Sequence, residues 1–176
     1  MAFLTLAQTT NKRYGNQIKR KMIRHYYKNQ NDEDQMMELL EEIRDSITSA
    51  DISFYLMDSG TYKNAYLLHK NYTVLVYKVD DVIVGFILAE AMTNDTMNLL
   101  MLYVSKKHRR KGIAMALKTK LEDLARLQGY ERIMSQVCIA NKESVALNKK
   151  AEWECELDKV YPDYYYWFTK SLKEWI

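Results

Sequence analysis

The sequence has few of the residues that interrupt regular structure. Its 176 residues include one proline and five glycines, which argues against long linkers and low-complexity segments. No apolar run approaches the length of a membrane span, and the first residues lack the charged start and long apolar stretch of a secretory signal. These absences predict a cytoplasmic protein without a membrane-spanning segment.

Cysteine and histidine are also scarce. Cys138 and Cys155 have no spacing typical of a metal site, and two cysteines in a reducing compartment are usually free thiols. His25 and His69 have no neighbours that suggest a metal site or a proton relay. The sequence therefore predicts a protein that binds no metal.

Acidic residues are absent from the start of the chain. Residues 1–31 contain seven lysines and arginines and no acid, whereas residues 32–176 contain 19 bases and 23 acids. We predict a basic N-terminal extension over residues 1–19 and a single domain over residues 20–176. Clustered positive charge also supplies the sequence-independent part of nucleic-acid binding. No recognisable nucleic-acid motif accompanies it here, so that alternative is less favoured.

The first half of the chain predicts helices followed by an antiparallel hairpin. Residues 32–50 have a helical apolar stripe, and Asp32 and Gln35 have the spacing of a capping box. A second, shorter helix is expected over residues 60–71. Two β-rich runs then meet at Asp80–Asp81, and the short connection favours an antiparallel pair.

Two local features have open interpretations. Residues 19–29 fit either a helix or a first strand, because their apolar residues satisfy both periods. Gly85 lies inside the second strand of the hairpin, where a missing side chain indicates a close backbone approach or a bulge.

The second half alternates strands and helices. Strand, helix and strand in succession favour a parallel pair, whereas the preceding hairpin is antiparallel, so we predict a mixed sheet with helices on both faces. The expected elements are a strand from Met97, a helix from Gly112, a strand over 131–139, a helix over 141–153, and strands over 154–161 and 164–172.

The stretch "SKKHRRKGIAMALKTKLEDLARLQGY", Ser105–Tyr130, places a basic cluster directly before a helix. A helix start has unpartnered backbone N–H groups and the positive end of the helix dipole. Gly112 allows the backbone to approach a ligand closely, so "RRKGIA" predicts a binding site for an anion such as a phosphate. Neither G-x-x-x-x-G-K-[ST] nor G-x-G-x-x-G is present, which argues against nucleotide hydrolysis and a dinucleotide fold.

Two motifs resemble the GNAT superfamily of acyl-CoA-dependent N-acetyltransferases. Residues 109–114 match the signature [QR]-x-x-G-x-[GA] between an apolar strand and an amphipathic helix. "NKESVALNKKAEW" is similar to the family's N-x-x-[AS]-x-x-L-Y-x-K-x-G-[FW], with Asn148 in place of the tyrosine and Glu152 in place of the glycine. The resemblance covers roughly residues 20–172 in element order and is specific in residues 97–153.

The resemblance implies an α/β fold with a mixed, mostly antiparallel sheet, a central splayed parallel strand pair and helices on both faces. It implies acetyl-CoA as the cosubstrate, no metal, and direct transfer of the acetyl group to a primary amine in a ternary complex. The implied coenzyme-binding residues are Leu102, Tyr103, Val104, Arg109, Arg110, Lys111, Gly112, Ile113, Ala114, Asn141, Ser144 and Lys150.

The catalytic positions depart from the family. Asn98 stands where several members have a glutamate base, and Asn148 stands where many have a tyrosine that protonates the thiolate. Glu90 is the remaining candidate base, with a solvated strand-end carboxylate as the alternative interpretation, and Tyr103 is a candidate acid or pocket wall. The two asparagines also motivate another hypothesis, a catalytically degenerate acyl-CoA-binding protein.

The resemblance also bears on the acceptor and on assembly. In this family the acidic helix over residues 32–50 lies near the acceptor side, which motivates a cationic acceptor such as a polyamine, an aminoglycoside or a lysine. A solvated helix face is the alternative explanation of its acids. Homodimers are frequent in the family, and the aromatic C-terminus is a candidate interface. A buried edge strand is an equally good explanation of the same aromatic residues.

Overall fold

The structure is a computed structural model that describes residues 13–14, 17–18, 20–26, 30–46 and 72–173. The strands in these ranges are β1 (Arg13–Tyr14), β2 (Gln17–Ile18), β3 (Lys21–His25), β4 (Tyr72–Val79), β5 (Val82–Ala91), β6 (Thr96–Val104), β7 (Arg132–Cys138), β8 (Glu154–Leu157) and β9 (Tyr165–Ser171). The α-helices are α1 (Gln30–Ser46), α2 (Ile113–Leu127) and α3 (Lys142–Lys150). The expected helix over residues 60–71 lies outside the described residues.

Strands β3 to β9 form one seven-stranded sheet in the order β3-β4-β5-β6-β7-β9-β8. Neighbouring strands are antiparallel except for β6 and β7, which are parallel. The predicted mixed, mostly antiparallel sheet with a central parallel pair is thereby confirmed. No helix within the described ranges is long and apolar enough to cross a lipid bilayer.

The parallel pair separates soon after it begins. Pairing between β6 and β7 covers Thr96–Asn98 opposite Arg132–Met134, although β6 continues to Val104 and β7 to Cys138. A bulge follows directly in β6, because Leu88 lies opposite Met101 and Ala89 lies opposite Leu99. A bulge bends its strand and increases the local twist. The edge of β6 that faces β7 therefore opens into a V-shaped gap.

Each face of the sheet carries its own core. Helix α1 packs Met36, Leu39 and Ile43 against β4 and β5 on one face. Helix α2 buries a stripe on the opposite face, as its helical spacing predicted, and the buried residues of that stripe are Ile113, Leu117, Leu121 and Ala125. Apolar burial on both faces explains why β5 is an almost continuous apolar run.

The capping box predicted at Asp32 is wrong. Helix α1 begins at Gln30 and ends at Ser46, so Asp32 lies inside its first turn, where it is 1% exposed. Its carboxylate accepts hydrogen bonds from Arg24 of β3 and from Lys78 of β4, the latter at 2.5 Å. Two cations from the neighbouring strands bind the carboxylate that would otherwise cap the helix.

Other local predictions have mixed outcomes. Within the ambiguous segment at residues 19–29, Lys21–His25 form strand β3, which pairs with β4. The hairpin turn is confirmed at Asp80–Asp81, where both residues have positive φ. Strand β8 ends at Leu157 instead of continuing to residue 161. The reason is that the Asp158 carboxylate accepts the backbone N–H groups of the two residues 160–161 and begins a turn.

Gly85 occupies a close backbone approach, as predicted. A Cβ at this position would lie 2.9 Å from the backbone oxygen of Tyr103 and 3.3 Å from the side chain of Val104. The register between β4 and β5 also shifts beside it, between Tyr77 and Lys78. Gly85 thus allows β5 to lie close to the end of β6, at the open end of the gap.

Candidate active site

The start of α2 forms a cradle of backbone N–H groups. Gly112 is the N-cap with a φ of 79°, and no side chain caps the helix. Among the described residues, the backbone N–H groups of residues 110–115 have no hydrogen-bond acceptor. A Cβ at Gly112 would meet no atom within 4 Å. The geometry fits an anion, because the N–H groups and the positive end of the helix dipole converge on open space.

The basic residues around the cradle do not all face solvent. Lys107, Arg110 and Lys111 are exposed, and the Lys111 ammonium donates to the backbone oxygen of Lys107 at 2.9 Å. Arg109 instead folds back on β6, where its Nε donates to the oxygen of Val104 at 3.1 Å. Its guanidinium also lies 5.4 Å from the ring centroid of Tyr103. Arg109 therefore fixes the end of β6 against the cradle.

The gap exposes the backbone of β6 at the two positions that the resemblance implied. The N–H of Ser105 donates to Val84 of β5 at 2.9 Å. Backbone groups alternate along a strand, so those of Leu102 and Val104 point the other way, toward β7. An extended ligand can pair with this edge as an added strand would.

Glu90 and Asn98 lie together at the closed end of the gap. They face each other across β5 and β6, and the Asn98 Nδ2 donates to the Glu90 Oε1 at 3.5 Å. Both side chains are half-buried. Asn98 is also the last residue of β6 that pairs with β7. The structure thus brings together the candidate base and the asparagine that stands at the family's base position.

Tyr103 lies on the α1 face of the sheet, next to Phe86 at a centroid distance of 6.5 Å. Its hydroxyl is buried and has no hydrogen-bond partner among the described residues. Burial, with the negative charge of Glu42, raises the pKa of this phenol. A phenol with a raised pKa is a weaker acid, so the arrangement favours Tyr103 as a wall over Tyr103 as a proton donor.

The second motif provides structural contacts in helix α3. Asn141 is the N-cap, and its side chain accepts the N–H of Ser144 at 3.0 Å. Lys150 is exposed in the last turn. Asn148 is 5% exposed, and its Nδ2 donates to the backbone oxygen of Ser144 at 3.0 Å.

The Asn148 side chain also binds a residue that sequence reasoning missed. Lys118 of α2 is 1% exposed, and its Nζ donates to the Asn148 Oδ1 at 2.7 Å. The same Nζ lies 3.0 Å from the ring centroid of Trp153. Burial lowers the pKa of Lys118 to about 7, opposed by Glu122 and assisted by Lys170. The sequence offered one signal for this contact: Lys118 is a charged residue within the apolar stripe of α2, four residues after Ala114.

Within the described part of the chain, no three histidine, cysteine, aspartate or glutamate side chains are grouped so that they could hold a metal ion. The two cysteines are free thiols, with Cys138 half-buried and Cys155 exposed. The arrangement comprises the cradle, the gap, the Glu90–Asn98 contact and the Lys118–Asn148 pair.

Comparison with known proteins gives a consistent result. Residues 35–153 match the model of the acetyltransferase (GNAT) family. An acetyltransferase from Streptococcus agalactiae superimposes with a TM-score of 0.67 at 17% identity, over 86% of this chain and 98% of its own. No curated protein matches the sequence.

Two similar structures contain the coenzyme. The PaiA N-acetyltransferase of Thermoplasma acidophilum, in complex with coenzyme A, has a TM-score of 0.65 at 16% identity, over 85% of this chain and 98% of its own. The yncA protein of Salmonella typhimurium, with its cofactor acetyl-CoA, has a TM-score of 0.66 at 18% identity, over 86% and 95%.

Proposed function

The chain belongs to the GNAT family of acetyltransferases, and we propose that it transfers the acetyl group of acetyl-CoA directly to a primary amine of a small-molecule or peptide acceptor. One observation carries the proposal. The gap between β6 and β7 opens beside the N–H cradle at Gly112 and closes at the Glu90–Asn98 contact. An anionic group, an extended arm and a reacting centre can therefore be held in one line.

The coenzyme fits this line by its chemistry. Its diphosphate would accept the backbone N–H groups of residues 110–114, with Arg110 and Lys111 supplying positive charge. Its amide-containing arm would pair with the open backbone of Leu102 and with the N–H of Val104. Arg109 would act by holding β6 in place, since its side chain is already bound to Val104.

Glu90 is the proposed general base. An alkylammonium has a pKa near 10.4, so the acceptor must lose a proton before its nitrogen can attack the thioester carbonyl. Glu90 is a half-buried carboxylate at the closed end of the gap, and Asn98 restrains it through the 3.5 Å contact. Asn98 has no basic atom, so its proposed role is to position Glu90.

The acceptor is proposed to be cationic. Glu38 and Glu41 are exposed on α1, and the Glu42 carboxylate accepts the backbone N–H of Lys106 at 2.8 Å. That bond brings the acidic helix next to the start of the basic segment. Attraction between a cationic amine and these carboxylates would raise its local concentration. If a broad panel yields products with uncharged amines alone, this part of the proposal fails.

The proposed activity is tested by release of the CoA thiol from acetyl-CoA in the presence of a panel of amines. We expect release that depends on the amine, together with a product heavier by one acetyl group in mass spectrometry. Gly112→Glu should abolish it, because the mutation places a carboxylate in the cradle. Gly129→Glu is the matched control: Gly129 also has positive φ and open space, but it follows the other end of α2.

A second candidate function is acyl-CoA binding without turnover, which the asparagines at positions 98 and 148 favour. Saturable acetyl-CoA binding, with no thiol release across the panel, would support it and would contradict the enzyme proposal. If the protein does not bind acetyl-CoA and binds nucleic acid with a steep salt dependence, the alternative of a basic nucleic-acid-binding module is supported instead.

The proposed assembly is a homodimer of a cytoplasmic enzyme with a basic extension over residues 1–19. Support comes from the edge strand β8 and the turn after it, where Leu157, Tyr161 and Tyr164 are exposed. Light scattering tests the mass in solution. A monomer at all concentrations would contradict the dimer.

A further inference from the structure

The Lys118 ammonium is buried in an unusual way. It donates to a neutral amide oxygen and lies over the Trp153 ring, and among the described residues it forms no ion pair with a carboxylate. The Glu122 carboxylate instead accepts the Trp153 Nε1 at 3.0 Å. Buried cations are normally paired with an anion, because removing charge from water is costly. The site therefore has positive charge in excess and suits an anion that arrives with a ligand.

The Lys118–Asn148 pair lies on the face of the sheet that α2 and α3 cover. Helix α2 connects the parallel strands β6 and β7, so it runs back from the open end of the gap toward the closed end. Strand β8 runs in the same direction as β7, because both are antiparallel to β9, so α3 also runs back. The Lys118–Asn148 bond joins the two helices on this face of the sheet.

Helix geometry gives the depth of the pair. Lys118 comes five residues after the first residue of α2, about 8 Å along its axis, and Asn148 comes six after that of α3, about 9 Å. The end of β7 that does not pair with β6, from Ser135 to Cys138, is roughly 10 Å long. The pair therefore lies well inside the gap, toward the end where Glu90 and Asn98 meet.

The orientation of Asn148 is fixed. An ammonium group has donors only, so the oxygen of the amide must face Lys118 and the NH₂ group must face away. One N–H binds the Ser144 oxygen, and the other has no acceptor among the described residues. The Asn148 amide thus accepts the Lys118 ammonium through its oxygen and has one N–H left to donate to a ligand.

We propose that Lys118 is a positioning residue for the leaving group: acting through Asn148, it stabilises the thiolate of coenzyme A. This inference rests on the proposed function. Glu90 takes one proton from the acceptor ammonium and passes it to solvent. As the amine nitrogen then bonds to the acetyl carbon, the C–S bond breaks, its electron pair stays on sulfur, and Glu90 takes the second proton that the nitrogen loses in forming the amide. The Asn148 N–H donates to the thiolate, which takes its proton from solvent on release.

The experiment measures the ionisation of the thiol of bound coenzyme A, and it needs no acceptor. Thiolate absorbance in the ultraviolet is followed against pH at saturating coenzyme A, with saturation verified by calorimetry. A free cysteine thiol has a pKa of about 8.5, and a nearby positive charge lowers such a value by about 1 to 3 units. We expect the bound thiol to ionise at least about one unit below free coenzyme A.

Variants separate the charge from the fold. Lys118→Met should return the bound thiol to the value of free coenzyme A or above it. Asn148→Asp keeps Lys118 but places a carboxylate beside it that compensates the positive charge. This variant should raise the pKa of the bound thiol as well. Lys149→Met removes the same charge from an exposed position beside Asn148 and should change nothing. If Lys118→Met is unstable, Lys118→Met/Asn148→Leu makes both partners apolar and should give the same shift.

The result that would overturn the inference is a bound thiol whose pKa is unchanged by Lys118→Met and by Asn148→Asp. Failure of the proposed function gives a different result: the unmutated protein then either does not bind coenzyme A, or binds acetyl-CoA and releases no thiol with any amine of the panel. The charged groups that face Lys118 are Glu122 on its own helix and Lys170 of β9. Neither is altered in these variants, so a shift reports the Lys118–Asn148 pair.

Discussion

Two lysines are buried among the residues that the structure describes, and they have opposite environments. Lys78 is 5% exposed and lies on the α1 face of the sheet, where it shares the Asp32 carboxylate with Arg24. Lys118 is 1% exposed and lies on the α2 face, where its partners are a neutral amide and an indole ring. The Lys78 ammonium forms an ion pair with a carboxylate, whereas the direct partners of the Lys118 ammonium are neutral and Glu122 acts on it without an ion pair.

The difference assigns a role to each face. A cation held by a carboxylate contributes to stability, since breaking a buried pair leaves an uncompensated charge. A cation without a carboxylate lowers stability at neutral pH, and such a group is typical of a functional site. The α1 face therefore holds the ion network that joins β3, α1 and β4, whereas the α2 face holds the charge that we propose acts on a ligand.

The largest effect is expected at Asp32. Asp32→Ala leaves Lys78 and Arg24 without their shared carboxylate and should lower the free energy of unfolding by about 3–5 kcal/mol. Urea denaturation measures the loss. Glu41→Ala is the matched control on the same helix, because Glu41 is exposed, and it should change stability by less than about 0.5 kcal/mol.

The pH dependence of this network has a definite sign. Burial raises the pKa of Asp32, but the hydrogen bonds from Lys78 and Arg24 outweigh it, so the net pKa is lowered. The unfolded carboxyl titrates near 3.9. The stabilisation is therefore complete above that pH and is lost as the pH falls through the lower folded value. A wild-type acid transition that Asp32→Asn leaves unchanged would contradict this.

The two lysines should respond differently to the same substitution. Lys78→Met should lower the free energy of unfolding by about 3 kcal/mol, because Asp32 keeps Arg24 alone. Lys118→Met should cost less or should stabilise the protein. Since the folded pKa of Lys118 is about 7, wild-type stability should rise as pH increases from about 7 to about 10. Lys118→Met should lack this rise, and equal losses for both variants would contradict the comparison.

The proposed role of Glu90 as the base is tested by enzyme kinetics. Glu90→Gln keeps the shape of the Asn98 contact but removes the base, and it should lower kcat by about 100-fold or more with the acceptor found in the screen. The Kd for acetyl-CoA should stay the same. Glu156→Gln, an exposed site on β8, is the control. A fall below threefold in kcat would show that another group accepts the proton.

The smallest effect concerns Glu122. This carboxylate raises the pKa of Lys118, so Glu122→Gln should move the Lys118 titration further below about 7, by less than about one unit. Side-chain NMR of Lys118 across pH measures it. An upward movement would show that Glu122 is not the carboxylate that acts on Lys118.

The local geometry of the cradle was predictable from the sequence more completely than the contacts of Asn148. Gly112 was recognisable because a cradle needs a positive φ and open space, and these requirements are local. The parallel pair followed from strand, helix and strand in order. The bulge at Leu100 and the separation of β6 from β7 depend on register, which one sequence does not display.

The missed residues share a physical reason. Asp32 resembled a cap because its partners Arg24 and Lys78 come from other strands. Lys118 resembled a polar residue on an amphipathic helix because its partner Asn148 is 30 positions away. In both cases a contact distant in sequence overrides a local pattern, and such contacts are where local reasoning fails.

The binding of acetyl-CoA at the cradle is best measured by calorimetric titration of the unmutated protein, Gly112→Glu and Gly129→Glu at two salt concentrations. We expect saturable binding by the unmutated protein and by Gly129→Glu, weakened at higher salt, and no binding by Gly112→Glu. Absence of binding by the unmutated protein, or equal affinity in all three, would contradict the assignment of the cradle.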